Sequence, residues 1–327
     1  MPLPEKALIA RIRKATKTRA PSVVAGIGDD AALLKIRPGY EVLVTTDFTL
    51  EGIHFRREWH APQVVGRRCL TRGLSDIAAM GGEPVAAFLS LAVPRKLPQT
   101  WVDGFMKGLL ELAKEFKVAL AGGDTAESPA GVLADILVLG AVPRGKAILR
   151  SGAGPGDAIY VTGELGGGAA GLRELFAGSK LRSRDFARHF HAVPRIAVGK
   201  ILRTRNLATA MIDLSDGLST DLAHLCEESA VGAEILATQL PTAHTGRKRQ
   251  PVDQDLVLHG GEDYELLFSA PQSVHLPPKI GGVRVTRIGQ VMRNRRILLR
   301  NEDGSVERLE PKGWQHFASS GTRGDTS

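Results

Sequence analysis

Val118-Ala-Leu-Ala121 and Val132-Leu-Ala-Asp-Ile-Leu-Val-Leu-Gly-Ala-Val142 are two apolar runs separated only by the Gly/Ala/Ser-rich stretch 122–131. No helical period lies between them. Two strands that follow one another directly do not fit a simple βαβ alternation, so the stretch argues for an α+β chain rather than a doubly wound parallel sheet. Working outward, Gln99–Phe116 has helical spacing and Val85–Val93 is a strongly apolar strand. Pro62 suits a first helical position ahead of a helical pattern over Val64–Met80. Glu5–Thr18 carries Leu8, Ile9 and Ile12 on one helical face, while Ala31–Ile36 and Glu41–Thr46 read as strands around the Arg37-Pro-Gly39 turn.

Downstream, Ser151-Gly-Ala-Gly-Pro-Gly-Asp157 is dense in glycine and proline and marks a junction, which divides the chain into domains 1–148 and 149–327. The second half predicts strands at Ala158–Thr162, Ala208–Asp213, Tyr264–Ala270, Val283–Gln290 and Arg296–Leu299. Helices are expected at Gly167–Leu175, Pro194–Thr204 and Gly217–Ser229, with a frayed tail after about Ser320.

The bulk numbers narrow the function classes. A chain of 327 residues with 43% hydrophobic and 24% charged residues is an ordinary globular composition with room for a substantial core. The formal charge of +8 suits either nucleic acid or small anions, but aromatics are only 5% and do not interleave with basic runs. No nucleic-acid partner is therefore expected. Cys69 and Cys226 have no metal-like spacing, and no apolar stretch approaches the roughly 20 residues of a membrane span. The N-terminus lacks a signal-peptide core. A cytoplasmic protein without membrane contact is the expectation.

Five acidic motifs carry the chemistry: Gly26-Ile-Gly-Asp-Asp30, Thr45-Thr-Asp47, Leu74-Ser-Asp76, Gly122-Gly-Asp124 and Asp213-Leu-Ser-Asp216. Taken singly, each aspartate reads as an N-cap or a turn residue. Taken together, Asp30, Asp47, Asp124 and Asp213 each lie beside a predicted strand end, where a sheet edge can gather them. Two carboxylates about 5 Å apart at an effective dielectric of about 20 repel by roughly 3 kcal/mol, so a gathered set calls for cations. Many aspartates without His or Cys partners point to magnesium, which fills its octahedron with water and phosphate oxygens. Several such ions suit a nucleotide polyphosphate. Gly123 permits close backbone approach, Thr45, Thr46 and Ser215 offer oxygens, and Arg150 suits a phosphate. Gly260-Gly-Glu-Asp-Tyr264 forms a further acidic–aromatic cluster.

Two other motifs are set aside. Gly140-Ala-Val-Pro-Arg-Gly-Lys146 matches a P-loop until Ala147, where the magnesium-binding hydroxyl is missing and no helix follows. Gly26-Ile-Gly-Asp-Asp30 lacks the crossover helix of a dinucleotide fingerprint.

Eight segments in order resemble the thiamine-monophosphate kinase family, whose superfamily includes aminoimidazole ribonucleotide synthetase. They are GIGDDAAL from Gly26, TTDFTLEGIHF from Thr45, LSDIAAMGGEP from Leu74, AGGDT from Ala121, RSGAGPGDAIYVTG from Arg150, IDLSDGLSTDLAH from Ile212, GGEDYELLF from Gly260 and KGWQHF from Lys312. The resemblance spans about Leu8 to Phe317. It implies ATP-dependent phosphorylation of thiamine monophosphate to thiamine diphosphate by direct in-line transfer. By motif it assigns several Mg2+ ions to Asp30, Thr45, Thr46, Asp47, Asp76, Asp124, Asp213 and Asp216, with Asp47, Asp124 and Asp213 central to catalysis. It gives Gly123, Asp124, Arg150 and Ser215 to ATP, and His54, Glu262 and Trp314 to the thiamine portion. Glu262 would offset the thiazolium charge and Trp314 would stack on it. The implied fold has an N-terminal mixed-sheet domain that binds ATP and magnesium and forms a homodimer. A C-terminal α/β sandwich-like domain would complete the nucleotide and substrate site. Two departures stand out: Phe48 follows Asp47 where the family often has Thr or Ser, and Thr238–Gln254 is polar and basic without a clear counterpart. Relatives that act on formyl, carbamoyl or selenide substrates are the competing enzyme class, and no cysteine for selenide chemistry precedes Cys69.

Overall fold

The computed structural model describes residues 1–16, 21–28 and 30–314. Lys17 and Thr18, Asp29 of the first acidic motif, Gln315–Phe317 and the tail beyond Ser320 lie outside the described residues.

The first half runs α1 (Glu5–Ala15), β1 (Val23–Ala25), β2 (Leu33–Leu34), β3 (Tyr40–Leu50), α2 (Pro62–Ala79), β4 (Glu83–Pro94), α3 (Gln99–Glu115), β5 (Ala119–Ser128) and β6 (Leu133–Pro143). β1 and β2 form a small hairpin, and the other four strands form a sheet in the order β3-β6-β4-β5. β4 and β5 are parallel, because α3 carries the chain back between them, and the remaining pairs are antiparallel. The sheet is therefore mixed, as expected. Its period-2 alternation is clean. Leu43 on β3, Leu89, Leu91 and Val93 on β4, and Ala134, Ile136 and Val138 on β6 are buried. They share a core with Leu70, Leu74 and Ile77 of α2 and Phe105, Leu109 and Leu112 of α3. On the opposite face Val42, Val44, Phe48 and Leu133 are 46%, 62%, 55% and 37% exposed. These residues leave an apolar strip open on that face of the sheet.

α2 and α3 lie unusually close. A Cβ on Gly66 would overlap the Phe105 carbonyl, and one on Gly108 would overlap the Gln63 carbonyl. Neither glycine is needed for its backbone angles; both are needed for lack of a side chain.

The second half runs β7 (Ala158–Thr162), α4 (Gly167–Phe176), α5 (Ala187–Phe190), α6 (Ile196–Thr204), β8 (Ala210–Asp213), α7 (Leu218–Glu228) and β9 (Gly232–Leu236). It continues β10 (His244–Thr245), β11 (Gln250–Pro251), α8 (Gln254–His259), β12 (Leu266–Ala270), β13 (Lys279–Ile280), β14 (Val283–Met292), β15 (Ile297–Arg300) and β16 (Val306–Arg308). The large sheet has the order β16-β15-β9-β14-β7-β12-β8. Helices cover both faces. Ile212 and Leu267 pack with Leu218, Leu222 and Leu225 of α7, whereas their neighbours Met211 and Phe268 pack with Val198 and Leu202 of α6. The second half is thus sandwich-like, in keeping with expectation.

The halves meet on α2. Its last turn, Ala78 and Ala79, belongs to the second half's core, and Gly199 of α6 rests on the Ala78 carbonyl. α2 therefore carries side chains from one core into the other. The P-loop-like stretch closes β6 in a turn with no helix after it, in line with its rejection.

Candidate active site

The period of β3 places Thr45, Asp47 and Thr49 on the α2 side of the sheet. The four-residue spacing along α2 places Arg68, Arg72 and Asp76 on one helix face. These two facts build the site. The Thr45 hydroxyl donates a short hydrogen bond to the Asp76 carboxylate. Asp47 lies 3.8 Å from Arg72 Nε. From the second half, Asp213 at the end of β8 is buried and accepts a hydrogen bond from Ser75 Oγ at 2.6 Å. Ser75 and Asp76 thus join both halves at adjacent positions.

The electrostatics are those of a site with too little positive charge. Burial, then the neighbouring Asp76, pushes Asp47 up to about 7. The same two causes push Asp213 up to about 7. Burial raises Asp76 as well, although Thr45, Arg150 and Arg72 pull it down. Arg150, exposed at the junction between the halves, contributes by its charge on Asp76 and Asp213.

A second group of residues adjoins the first. Burial works against the Glu262 charge, but Arg68 and Arg72 outweigh it and hold the carboxyl down at about 2. Arg68 Nη2 reaches Glu262 Oε1 at 2.6 Å, and Arg72 Nη1 stands 3.6 Å from the same oxygen. Glu262 itself has φ 67°, and its N–H donates to the Ser215 carbonyl at 2.8 Å. Trp314 N–H donates to the Asp216 carbonyl at 3.0 Å, and the Trp314 side chain is 45% exposed. His54 accepts a hydrogen bond from Leu50 N–H at Nδ1, 3.0 Å away, and its carbonyl lies 3.5 Å from Arg68 Nη2. The expected thiamine contacts His54 and Glu262 are thus linked through Arg68. Glu262 differs from expectation in one respect: its charge is already matched by two arginines.

Asp30, Gly123 and Asp124 lie elsewhere. They line a cavity of about 350 Å³ with Ile9, Ile12 and Phe88. Gly123 has φ 144°, and a Cβ there would overlap the Leu89 carbonyl, so only glycine fits. Asp124 Oδ1 accepts the Thr125 N–H at 2.8 Å. Across the sheet, Asp47 is level with Ile136, Leu89 and Gly123 in turn. Three strand spacings of about 4.8 Å put Asp47 about 14 Å from Gly123. A single chain therefore gathers Asp47, Asp76 and Asp213, but not Asp30 or Asp124. Thr46 is on the other face of β3 and donates to Asp135 at 2.6 Å.

The acid group fits magnesium. Its carboxylates are raised by burial and by one another, which a divalent cation would reverse. Among the described residues no three of His, Cys, Asp or Glu form a closed ligand set. Magnesium commonly takes only one or two protein carboxylates, with water and phosphate completing the shell.

Arg68, Arg72 and Ser75 are site residues that sequence reasoning misses. The first two carry a readable signal, since Arg68, Arg72 and Asp76 recur every fourth residue on one helix. Nothing in the local pattern marks Ser75.

Comparison with known proteins gives a consistent result. Residues 28–145 match the family described as AIR synthase related protein, N-terminal domain, and residues 154–296 match its C-terminal domain counterpart. Thiamine-monophosphate kinase of Escherichia coli (strain K12) is 38% identical over 326 residues, covering 96% of this chain and 98% of the relative. The crystal structure of thiamine-monophosphate kinase from Stenotrophomonas maltophilia K279a superposes with a TM-score of 0.79 at 36% identity, covering 93% and 98% of the two chains. A structure described as AaThiL complexed with AMPPCP and TMP has a TM-score of 0.76 at 31% identity, covering 96% and 97%.

Proposed function

This chain belongs to the thiamine-monophosphate kinase family and is a thiamine-phosphate kinase; on that premise we propose how its residues perform ATP-dependent phosphorylation of thiamine monophosphate. The observation that carries the reading is Asp47, Asp76 and Asp213 meeting where the halves join, inside a full-length likeness to the kinases.

An oxygen of the acceptor's phosphate forms the new bond to the γ-phosphorus as the bond to the β–γ bridging oxygen breaks, giving ADP and thiamine diphosphate without a phosphoenzyme. Little covalent chemistry falls to the protein, so its work is positioning and charge. Asp47, Asp76 and Asp213 would hold magnesium, with Thr45 fixing Asp76 and Ser75 fixing Asp213; bound there, the ions would offset charge on the transferring group. Asp216 would hold a further ion. Arg150 and Ser215 are assigned to the nucleotide, and His54, Glu262 and Trp314 to the thiamine end.

The remaining ligands, Asp30 and Asp124, are best supplied by a second copy of the chain. The open face of Val42, Val44, Phe48 and Leu133 is the surface such a copy would cover. Sheet-to-sheet packing would bring the partner's β5 edge towards β3, so that a homodimer contains complete sites. We place the enzyme in the cytoplasm; among the described residues no helix is long and apolar enough to cross a membrane.

A coupled assay of ADP release with thiamine monophosphate as acceptor tests the activity. Turnover is expected to vanish with a chelator and return on adding magnesium. Turnover that a chelator leaves intact would contradict the metal assignment, and turnover of an aminoimidazole precursor in place of thiamine monophosphate would overturn the substrate.

A further inference from the structure

Arg72 is a buried charge in the site whose donors are poorly satisfied. Its side chain is 16% exposed, and its two ion pairs, 3.8 Å to Asp47 and 3.6 Å to Glu262, are both longer than hydrogen bonds. Its Nε is buried with no hydrogen-bond partner. Arg68, one turn earlier, shows the contrast: it donates to Glu262 at 2.6 Å and to the His189 carbonyl at 3.1 Å. A buried guanidinium with unsaturated donors is costly unless an acceptor arrives. The acceptor that matches a planar fork of N–H groups is a tetrahedral oxyanion or a carboxylate, held by two bonds at once.

The position of Arg72 selects between these. On one side stands Asp47, in the acid group that would hold magnesium and the nucleotide's phosphates. On the other stands Glu262, in the group linked to His54. An acceptor lying between them presents its phosphate to Arg72.

Resting on the kinase reading above, we propose that Arg72 grips the phosphate of the acceptor and so selects a phosphorylated acceptor over its dephosphorylated form. Arg68 stays with Glu262 and Arg72 turns to the ligand. The Glu262 carboxylate then serves to orient the Arg72 fork, and Asp47 keeps the guanidinium from swinging away.

The test is isothermal titration of the full-length protein, with magnesium and a non-hydrolysable ATP analogue present, using thiamine monophosphate and thiamine as separate ligands. Wild type should bind the phosphorylated ligand more tightly. R72Q should lose about 10-fold or more in affinity for thiamine monophosphate, the worth of a charge-assisted hydrogen bond, and change less than about 2-fold for thiamine. R72K keeps the charge but not the fork and should fall between. Affinity for the ATP analogue reports whether each variant is folded. An unchanged ratio of the two ligand affinities in R72Q overturns the proposal. If R72Q does not fold, an unchanged ratio in R72K does so. A wild type that turns over thiamine monophosphate while both variants keep its ratio leaves the kinase reading standing and removes only Arg72. A wild type that neither binds nor phosphorylates thiamine monophosphate removes both.

Discussion

Replacing Asp47 with Asn is expected to lower turnover by about 10²–10³-fold, the scale seen when one electrostatic contact to a reacting group is lost. The fold should not suffer. Burial and Asp76 push the Asp47 carboxyl up to about 7, well above its value of about 3.9 in an unfolded chain. The sign follows directly. Between those values the folded chain binds the extra proton, so this group's penalty is absent below about pH 4 and grows as pH rises through 7. Asn has nothing to ionise and escapes the penalty. Without magnesium, Asp47→Asn should therefore melt at or above the wild-type temperature at pH 8, and the gap should be clearly narrower at pH 5. Melting curves at the two pH values check the fold, and the ADP assay checks the chemistry. Full activity in the variant would remove Asp47 from the site.

The second large effect concerns stability. Gly108→Ala is expected to cost about 3 kcal/mol, at the upper end for overpacking, because the new methyl meets the Gln63 backbone carbonyl rather than a side chain that could turn aside. Gly66→Ala faces the Phe105 carbonyl in the same way. α2 would have to retreat from α3, and α2 carries Arg68, Arg72, Ser75 and Asp76. Denaturant unfolding should show a lower midpoint, and the variant's turnover should fall even where it remains folded. A midpoint equal to wild type would mean that the helices are not packed this closely.

The strands and long helices are readable because their periods are strong. Val85–Val93 appears as β4 with its ends extended, and Val64–Met80 appears as α2 with its start at Pro62. Where reading falls short, tertiary pairing decides the outcome. β5 continues through Gly122-Gly-Asp124 to Ser128, because β4 lies alongside and supplies hydrogen bonds that local sequence does not reveal. β3 runs on to Leu50 for the same reason, now against β6. Gly232–Leu236 and Gln254–His259 escape the sequence reading, the first a short strand that opens on glycine and the second a helix of only six residues that follows the polar, basic stretch. In the other direction, Ala31–Ile36 shrinks to Leu33–Leu34 because only the short β1 pairs with it.

The site divides along similar lines. Short acidic motifs in apolar surroundings are conspicuous, and Asp47, Asp76 and Asp213 do converge, although Asp47 lies within β3 and Asp76 within α2. Their supports are inconspicuous: Ser75 looks like any helix serine, and Arg68 and Arg72 look like a solvated basic face. The separation of Asp124 from Asp47 is also invisible locally, because strand order is a property of the whole sheet.

That separation has a genetic consequence. If the carboxylates at the two outer strands serve a single reaction from different chains, two crippled proteins should mend each other. Asp47→Asn and Asp124→Asn, each inert alone, would be unfolded together and refolded as a mixture. Random pairing makes half the dimers mixed, and each mixed dimer holds one undamaged site of two, so about a quarter of wild-type activity should return. A mixture as dead as its components would mean that each chain works with its own residues alone.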